Sequence, residues 1–177
     1  MMKQNQPIVL AFVAIILVAG GFLWYHNIAK GRLDIQVRDP LQEWGSASHV
    51  YIQYNRIEVH RYYNYNDTGW LTVTENPKWI DLTTALEEPK TLGSKGFSPG
   101  KINLIRFDIL NATVTINGAN YTATVINGKL NIVIPNGGVS INLAQTTTIL
   151  LDITPKVTGS PNQGYKVTPA VKAYVIS

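Results

Sequence analysis

The sequence predicts an all-β protein, an antiparallel β-sandwich with immunoglobulin-like or transthyretin-like packing, preceded by one N-terminal transmembrane helix. An uncharged apolar run near the N-terminus predicts the helix. Apolar and polar residues then alternate with a period of two, which is typical of half-buried strands. Asn-Gly and Pro-Gly pairs separate these strands. A chain of 177 residues fits one such domain plus an anchor.

Composition narrows the classes of protein that fit. Charged residues make up only 15% and hydrophobic residues 45%, which excludes both a disordered chain and a fully membrane-embedded one. The chain has no cysteine, so disulfides, thiol nucleophiles and cysteine-ligated zinc are excluded. The net charge is +4, but Lys3 and Lys30 flank the apolar run and no basic cluster follows. Nucleic acid is therefore not an expected partner.

The apolar run covers residues 8–25 and contains no charged side chain. As a helix it would be about 27 Å long, close to the hydrocarbon thickness of a bilayer, about 30 Å. Trp24 and Tyr25 are predicted membrane-interface anchors. The expected organisation is a short flank at 1–7, a transmembrane helix or signal-anchor at 8–25, and a juxtamembrane linker at 26–31.

A cleaved secretory signal is the alternative interpretation of this run. The small residues Val18-Ala19-Gly20 would then form the processing site. The apolar run continues past them through residues 22–25, which favours an uncleaved anchor.

Three N-x-Thr sequons predict which side of the membrane the domain occupies. They are Asn66-Asp67-Thr68, Asn111-Ala112-Thr113 and Asn120-Tyr121-Thr122, and all follow the apolar run. They make Asn66, Asn111 and Asn120 candidates for N-linked glycans. Together with the low charge, they favour a single-pass protein of the cell membrane whose C-terminal domain lies outside.

The external domain is predicted over residues 32–177. Its strands are expected around sets of alternating apolar residues that each turn one face inward. The sets lie at 33–37, 50–52, 57–59, 105–109, 112–116, 121–125, 130–134, 139–143, 149–153 and 171–175. The alternation changes phase near Asn55, which indicates a β-bulge.

Turn residues divide these strands. Asn117-Gly118 and Asn127-Gly128 predict type I′ hairpins, since both central residues of that turn need positive φ. Asn136-Gly137-Gly138 predicts a further turn, and Pro99-Gly100 ends a loop. Residues 83–88 are the only helical candidate outside the anchor, while 86–100 and 155–164 are expected to be loops.

Several short pieces, taken in order, resemble the DUF4382 family, a domain of unknown function. They are residues 31–40, 50–52, 57–61, 69–70, 80–82, 98–101, 151–153 and 165–172. The resemblance covers nearly the whole chain after the apolar run. It implies a secreted or surface-attached β-sandwich of bacteria or archaea, and it brings no catalytic residues. Bacterial members often look like lipoproteins, but this chain lacks the lipobox cysteine, so a transmembrane helix would replace the lipid.

No pattern in the sequence predicts catalysis or a cofactor. The three histidines are His26, His49 and His60, and the last two lie on one predicted strand, too far apart to share a metal ion. Residues 93–101 lack the spacing of a phosphate-binding Walker motif. We therefore expect neither an enzyme nor a metal site.

The segment Arg61-Tyr62-Tyr63-Asn64-Tyr65-Asn66-Asp67 is the most unusual in the chain. Tyr62, Tyr63 and Tyr65 lie in a predicted turn, where they would form an interaction loop for a sugar or a protein partner. Alternatively, they cover one end of the domain beside Trp70.

These observations predict a membrane-anchored extracellular domain with a structural or accessory protein-interaction role in a cell-surface assembly. The first alternative is a filament or pilus subunit, secreted to the surface and self-assembling. Its leader would be cleaved near Gly20, and residues 22–29 would insert as a donor strand into the next subunit. The second alternative is a sugar-binding module that uses the tyrosine loop. Abundant Ile and Val without cysteine favour an archaeal source.

Overall fold

The computed structural model describes residues 6–28, 30–38, 44–62, 69–86 and 88–176. The chain is mostly β, which confirms the predicted all-β class. One helix, α1, spans Gln6–Ile28 and precedes ten strands. The strands are β1 (Gly31–Arg38), β2 (Ala47–Arg61), β3 (Trp70–Asp81), β4 (Lys90–Phe97), β5 (Gly100–Ile116), β6 (Ala119–Val125), β7 (Lys129–Val133), β8 (Val139–Ile141), β9 (Thr146–Ser160) and β10 (Gly164–Val175).

Helix α1 contains the predicted anchor. Pro7 lies in its first turn, where the missing N–H of proline costs the helix no hydrogen bond. All residues from 11 to 22 are exposed, and Leu17 and Val18 are exposed by 70% and 73%. Within the described residues, no helix combines the length and the apolar character that a membrane crossing requires. The transmembrane anchor therefore stays a prediction.

The described strands form one hydrogen-bonded sheet in the order β3-β2-β5-β6-β10-β9-β1-β4, with β7 and β8 also paired to β5. The two end strands meet, because Lys95 Nζ on β4 donates to the Thr72 carbonyl on β3 at 2.8 Å. Gly93 on β4 also faces β3, where a Cβ would lie 3.1 Å from Thr74 Cγ2. The sheet is thus nearly closed on itself. This differs from the two face-to-face sheets of the predicted sandwich.

Two strand pairs are parallel, which corrects the prediction of a purely antiparallel arrangement. β1 pairs with β9 in parallel, and β6 pairs with β10 in parallel. Each pair joins strands that are distant in the sequence, so no short hairpin fixes their relative direction. β1 lies between β4 and β9, inside the sheet and not at an end.

The inner face of the curled sheet holds the core. Leu33, Ile35 and Val37 of β1 are completely buried, as are Ile149, Leu151 and Ile153 of β9 and Phe107 of β5. This confirms the alternation predicted for these strands. Leu143 is an exception at 51% exposed, because β8 already ends at Ile141 and a turn follows at Ala144 with φ 55°. Val175 at the end of β10 is also exposed.

Bulges set the phase of the two longest paired strands. β2 shifts register between Tyr54 and Arg56 against both of its neighbours, which confirms the bulge predicted at Asn55. β5 has a second irregularity, since Gln53 pairs with Asn111 and Tyr54 with Ile109, leaving Leu110 between them. Two predicted strands are therefore one strand of 17 residues.

Of the two predicted hairpins, one is confirmed and one is wrong. Asn117 and Gly118 have φ values of 51° and 78° and join β5 to β6. Around Asn127-Gly128 there is no hairpin, because β6 and β7 follow one another along β5. The Ile109 amide donates to the Gly128 carbonyl at 2.8 Å. A Cβ at Gly128 would overlap the Ile109 carbonyl oxygen, which explains the glycine.

Both predicted loops contain strand. Residues 86–100 include β4, whose sequence KTLGSKGF lacks alternation because Gly93 packs closely against β3. Residues 155–164 include the end of β9. The predicted helix at 83–88 is shorter than expected, a single 3₁₀ turn at Leu82–Ala85, and the Thr83 amide donates to the Asp81 carboxylate at 3.0 Å.

Candidate interaction surface

The predicted tyrosine loop follows β2 directly. Tyr62 is 45% exposed. Tyr63, Tyr65 and the sequon residue Asn66 lie outside the described residues. Trp24 and Tyr25, the predicted interface anchors, lie in the last turns of α1. The structure therefore locates one of the three tyrosines.

The other two sequon asparagines are exposed on strands. Asn111 lies on β5, and its Nδ2 donates to Gln53 Oε1 at 2.6 Å. Asn120 lies on β6, and its Oδ1 accepts from Thr115 Oγ1 at 2.6 Å. A glycan on Asn111 would take one of the two Nδ2 hydrogens and leave one N–H as a donor, whereas a glycan on Asn120 leaves the acceptor oxygen unchanged. Glycosylation at both sites stays a prediction.

A group of aromatic and charged side chains extends from Tyr62 over the outer face of β2, β3 and β5. We call it the outer cluster, and its members are Glu58, His60, Tyr62, Trp70, Lys101 and Arg106. Lys101 Nζ lies 4.9 Å from the ring centroid of Tyr62. The rings of His60 and Trp70 meet edge to face, with centroids 5.0 Å apart. The Arg106 guanidinium lies over Trp70, 4.0 Å from its ring centroid.

Charge holds the inner part of the outer cluster in place. Glu58 is only 8% exposed, and its two carboxylate oxygens face different arginines. Arg106 Nη1 lies 3.4 Å from Glu58 Oε2, and Arg56 Nη1 lies 3.6 Å from Glu58 Oε1. Arg106 thus contacts both a carboxylate and the face of Trp70, which restricts its conformations. The positive charge of Arg106 is therefore held in a defined position at this surface.

Strand register brings these residues together. Glu58 pairs with Arg106 across β2 and β5, and His60 pairs with Trp70 across β2 and β3. The bulge at Asn55 reverses the alternation, so that Ile57 and Val59 are buried while Glu58 and His60 belong to the outer face. The roles of Arg106 and Lys101 were not predicted from the sequence. The phase change at Asn55 is the signal that places Glu58 and His60 outside.

Cationic side chains cover part of the aromatic surface of the outer cluster. A sugar needs an open aromatic face, but one face of Trp70 carries the Arg106 guanidinium. Its ring also meets the edge of His60. Tyr62 is the more exposed ring, and Lys101 lies over it. Cationic groups on aromatic rings attract carboxylates and further aromatic side chains, both of which a protein surface supplies.

His49 and His60 make separate local contacts. His49 Nδ1 lies 2.9 Å from Asp81 Oδ2, and its ring stacks on Tyr51. His60 Nδ1 lies 3.3 Å from Asn103 Oδ1. His26 lies in α1. Within the described parts of the chain, no three His, Cys, Asp or Glu side chains converge as a metal site would require.

A cleft separates β7 from β10. β6 and β10 pair in parallel as far as Val125 and Val167, after which β7 continues along β5 while β10 continues along β9. The two strands therefore diverge, and a cleft of about 320 Å³ opens between residues 131–135 and 171–174. Val133 at its margin is 69% exposed. Among the described residues, β7 pairs only with β5, and residues 171–174 of β10 pair only with β9, so each strand has one unpaired edge here.

The fold and these surfaces define a β-rich single-sheet domain that follows an apolar N-terminal helix. Residues 30–169 match the family model "Domain of unknown function (DUF4382)", and the chain belongs to this family. This confirms the resemblance found in the sequence.

Comparisons with curated proteins and solved structures do not define the function of this family member. No curated protein matches the chain. One similar solved structure is a crystal structure from Bacteroides ovatus of a candidate cell adhesion protein, with 12% identity and a TM-score of 0.25. The match covers 84% of this chain and 46% of that one. At so low a TM-score the likeness supports no inference about this chain.

Proposed function

We propose that this protein is a membrane-anchored extracellular domain with a structural or accessory protein-interaction role in a cell-surface assembly. The observation that carries the proposal is the contrast between α1 and the sheet. From residue 11 to residue 22, α1 exposes apolar side chains on all sides, whereas the sheet buries most of its apolar residues. A surface of this kind is unfavourable in water and favours transfer to an apolar medium.

The uncharged run in the sequence supports a membrane as that medium. Residues 8–25 would be about 27 Å long as a helix, compared with a hydrocarbon thickness of about 30 Å. Trp24 and Tyr25 come near its C-terminal end, where aromatic rings favour the headgroup region. In this arrangement the β domain begins at the membrane surface.

The outer cluster is the surface that we assign to a protein partner. It combines an exposed tyrosine under a lysine with an arginine fixed between Glu58 and Trp70. Tyr, Trp and Arg are the residue types that contribute most to protein interfaces. A partner that brings carboxylates or aromatic rings to this face fits the cluster best.

The proposal is tested on the full chain in its native membrane. We expect the chain to resist alkaline carbonate extraction, to retain Met1 or Met2 by intact mass, and to be digested by protease added outside intact cells. Added glycan mass on Asn111 or Asn120 would give further support. Protection from the protease, together with unmodified asparagines, would contradict an external domain.

A filament subunit that polymerises by donor-strand exchange is the second candidate, and the cleft between β7 and β10 favours it. Two unpaired strand edges face each other across an apolar-rimmed cleft, which is what an incoming strand needs. Residues 22–29 would be the donor after cleavage near Gly20. A mature chain that starts near Gly21 and forms polymers would support this candidate. Val133→Glu should then abolish polymers, whereas Val175→Glu, beyond the residues that line the cleft, should not.

A further inference from the structure

A cationic groove lies where the chain passes from α1 into the sheet. It is lined by Lys30, Gly31 and Arg32 on one side and by Ser94, Lys95 and Gly96 on the other, and its volume is about 540 Å³. Three of these six residues are basic and none is acidic. This is a concentration of positive charge in a chain with few charges.

Glycine makes the room for this groove. Arg32 on β1 pairs with Gly96 on β4, so the position opposite Arg32 has no side chain. A Cβ at Gly96 would lie 3.5 Å from Lys30 Cδ, which is ordinary van der Waals contact. The aliphatic part of Lys30 therefore lies beside Gly96. A larger residue at position 96 would fill the groove without overlapping the backbone.

One acid lies next to the groove, and it is already paired. Asp34 accepts hydrogen bonds from Arg32 Nε at 2.8 Å and from the Ser94 hydroxyl. Burial raises the pKa of Asp34, but the hydrogen bonds from Ser94 and Arg32 and the charge of Arg32 lower it by more, so its pKa lies below the ordinary value. With Asp34 ionised, three basic groups and one carboxylate leave a net positive charge at the groove.

The short connection to α1 limits how far the groove can lie from the end of the helix. Lys30 follows Ile28, the last residue of α1, by two residues. Two Cα–Cα steps span at most about 7.6 Å. The polar headgroup region adds about 5–7 Å on each side of the hydrocarbon core. If α1 occupies a bilayer, the groove therefore lies at the depth of the lipid phosphates.

We infer that this groove binds the phosphate of anionic membrane lipids at the bilayer surface that α1 reaches. Lys30 and Arg32 attract the phosphate, and the open space above Gly96 accepts the headgroup. The Lys95 ammonium group already donates to the Thr72 carbonyl on β3, so Lys95 contributes only its nearby positive charge. The inference rests on the proposed membrane anchor. It adds a lipid preference, because basic residues beside a membrane favour anionic lipids by electrostatic attraction.

The test is a titration of the full chain, held in nonionic detergent, with dihexanoylphosphatidylglycerol. We expect saturable binding that weakens about 10-fold in Lys30→Gln, which removes one charge-assisted hydrogen bond to the phosphate. The matched control is Lys129→Gln, which removes one exposed lysine from β7 and should bind as the parent does. Equal binding by Lys30→Gln and Lys129→Gln would overturn the inference.

A second variant separates shape from charge. Gly96→Leu keeps every charge and should block phosphatidylglycerol while leaving the melting temperature of the domain nearly unchanged. Unchanged binding by a folded Gly96→Leu would overturn the inference. So would equally tight binding of dihexanoylphosphatidylcholine, or tighter binding of inorganic phosphate, which would assign the groove to a free anion. The titration needs no bilayer. A chain that binds no phosphatidylglycerol but still sediments with membranes would therefore contradict the lipid site and leave the membrane anchor standing.

Discussion

Helix α1 and the inner face of the sheet contain the same kinds of residue in opposite surroundings. Leu17 and Val18 of α1 are mostly exposed, whereas Leu33 and Val37 of β1 are completely buried. The helix is apolar on every side, while β1 alternates apolar with polar residues. The comparison teaches that the spacing of apolar residues, more than their number, decides their surroundings. Apolar residues that alternate with polar ones form the core of the domain, whereas an unbroken apolar run remains exposed on α1.

The largest effect is expected in the core. Phe107→Ala removes a completely buried ring that contacts Tyr54, and we expect the free energy of unfolding to fall by about 3–5 kcal/mol. Urea denaturation followed by tryptophan fluorescence measures this. Phe12→Ala in α1 is the matched control, since the same truncation at an exposed position should change stability by less than about 0.5 kcal/mol. Comparable losses in the two variants would break the comparison.

A charge introduced into α1 should weaken membrane association and leave the stability of the β domain unchanged. Leu17→Arg should weaken membrane association by about 2.5–3.5 kcal/mol, the cost of arginine at the centre of a membrane helix. Flotation with lipid vesicles measures it, and Leu17→Phe serves as the neutral control. The melting temperature of the β domain should stay the same in both. If Leu17→Arg floats as well as the parent, α1 does not enter the bilayer.

Replacing glycines tests how closely the strands of the sheet pack, independently of α1. Gly128→Ala would force a Cβ onto the Ile109 carbonyl oxygen, and we expect a loss of about 1–3 kcal/mol in the free energy of unfolding. Gly20→Ala in α1, where nothing lies near the new Cβ, should leave the domain as stable as before. Thermal unfolding of both variants gives the answer. An unaffected Gly128→Ala would mean that β6 and β7 do not follow β5 as described.

The smallest effect concerns Asp34, at the junction of the two regions. Because its pKa is lowered in the folded chain, its stabilising contribution is full above the ordinary aspartate pKa and disappears as the pH falls through the folded pKa. Asp34→Asn should therefore lose less than about 1 kcal/mol at pH 7 and nothing at the acidic end. Melting temperatures from pH 7 to pH 3 measure this. A loss that grows as the pH falls would contradict the pairing.

Local patterns were enough to predict eight of the ten described strands and some of their details, but not β3 or β4. The inward residues of β1 and β9, the bulge at Asn55 and the Asn117-Gly118 hairpin all depend on residues near one another in the chain. The parallel pairing of β1 with β9 depends on contacts between distant segments, and no local signal encodes it. β4 was missed because close packing at Gly93 replaces the alternation that marks a strand.

The surfaces follow the same division. Tyr62 was predicted to belong to an interaction loop from the residues of its own segment, and the structure shows that its side chain is exposed. Trp70 was expected only to lie beside the tyrosines. Its contacts with His60 and Arg106 depend on the register of three strands, which a single sequence does not specify. The groove at Lys30 likewise needs β4 to pair with β1, a pairing hidden by the missed strand.

The central position of β1 has a mechanical consequence. A force on α1 enters the domain at Gly31, the start of β1, which is hydrogen-bonded to β4 on one side and β9 on the other. We consider a pull directed along the axis of β1. Inter-strand hydrogen bonds run across the strand direction, so such a pull loads many of them at once in shear, instead of opening them one by one. A domain tethered through this strand resists tension better than one tethered through an edge strand.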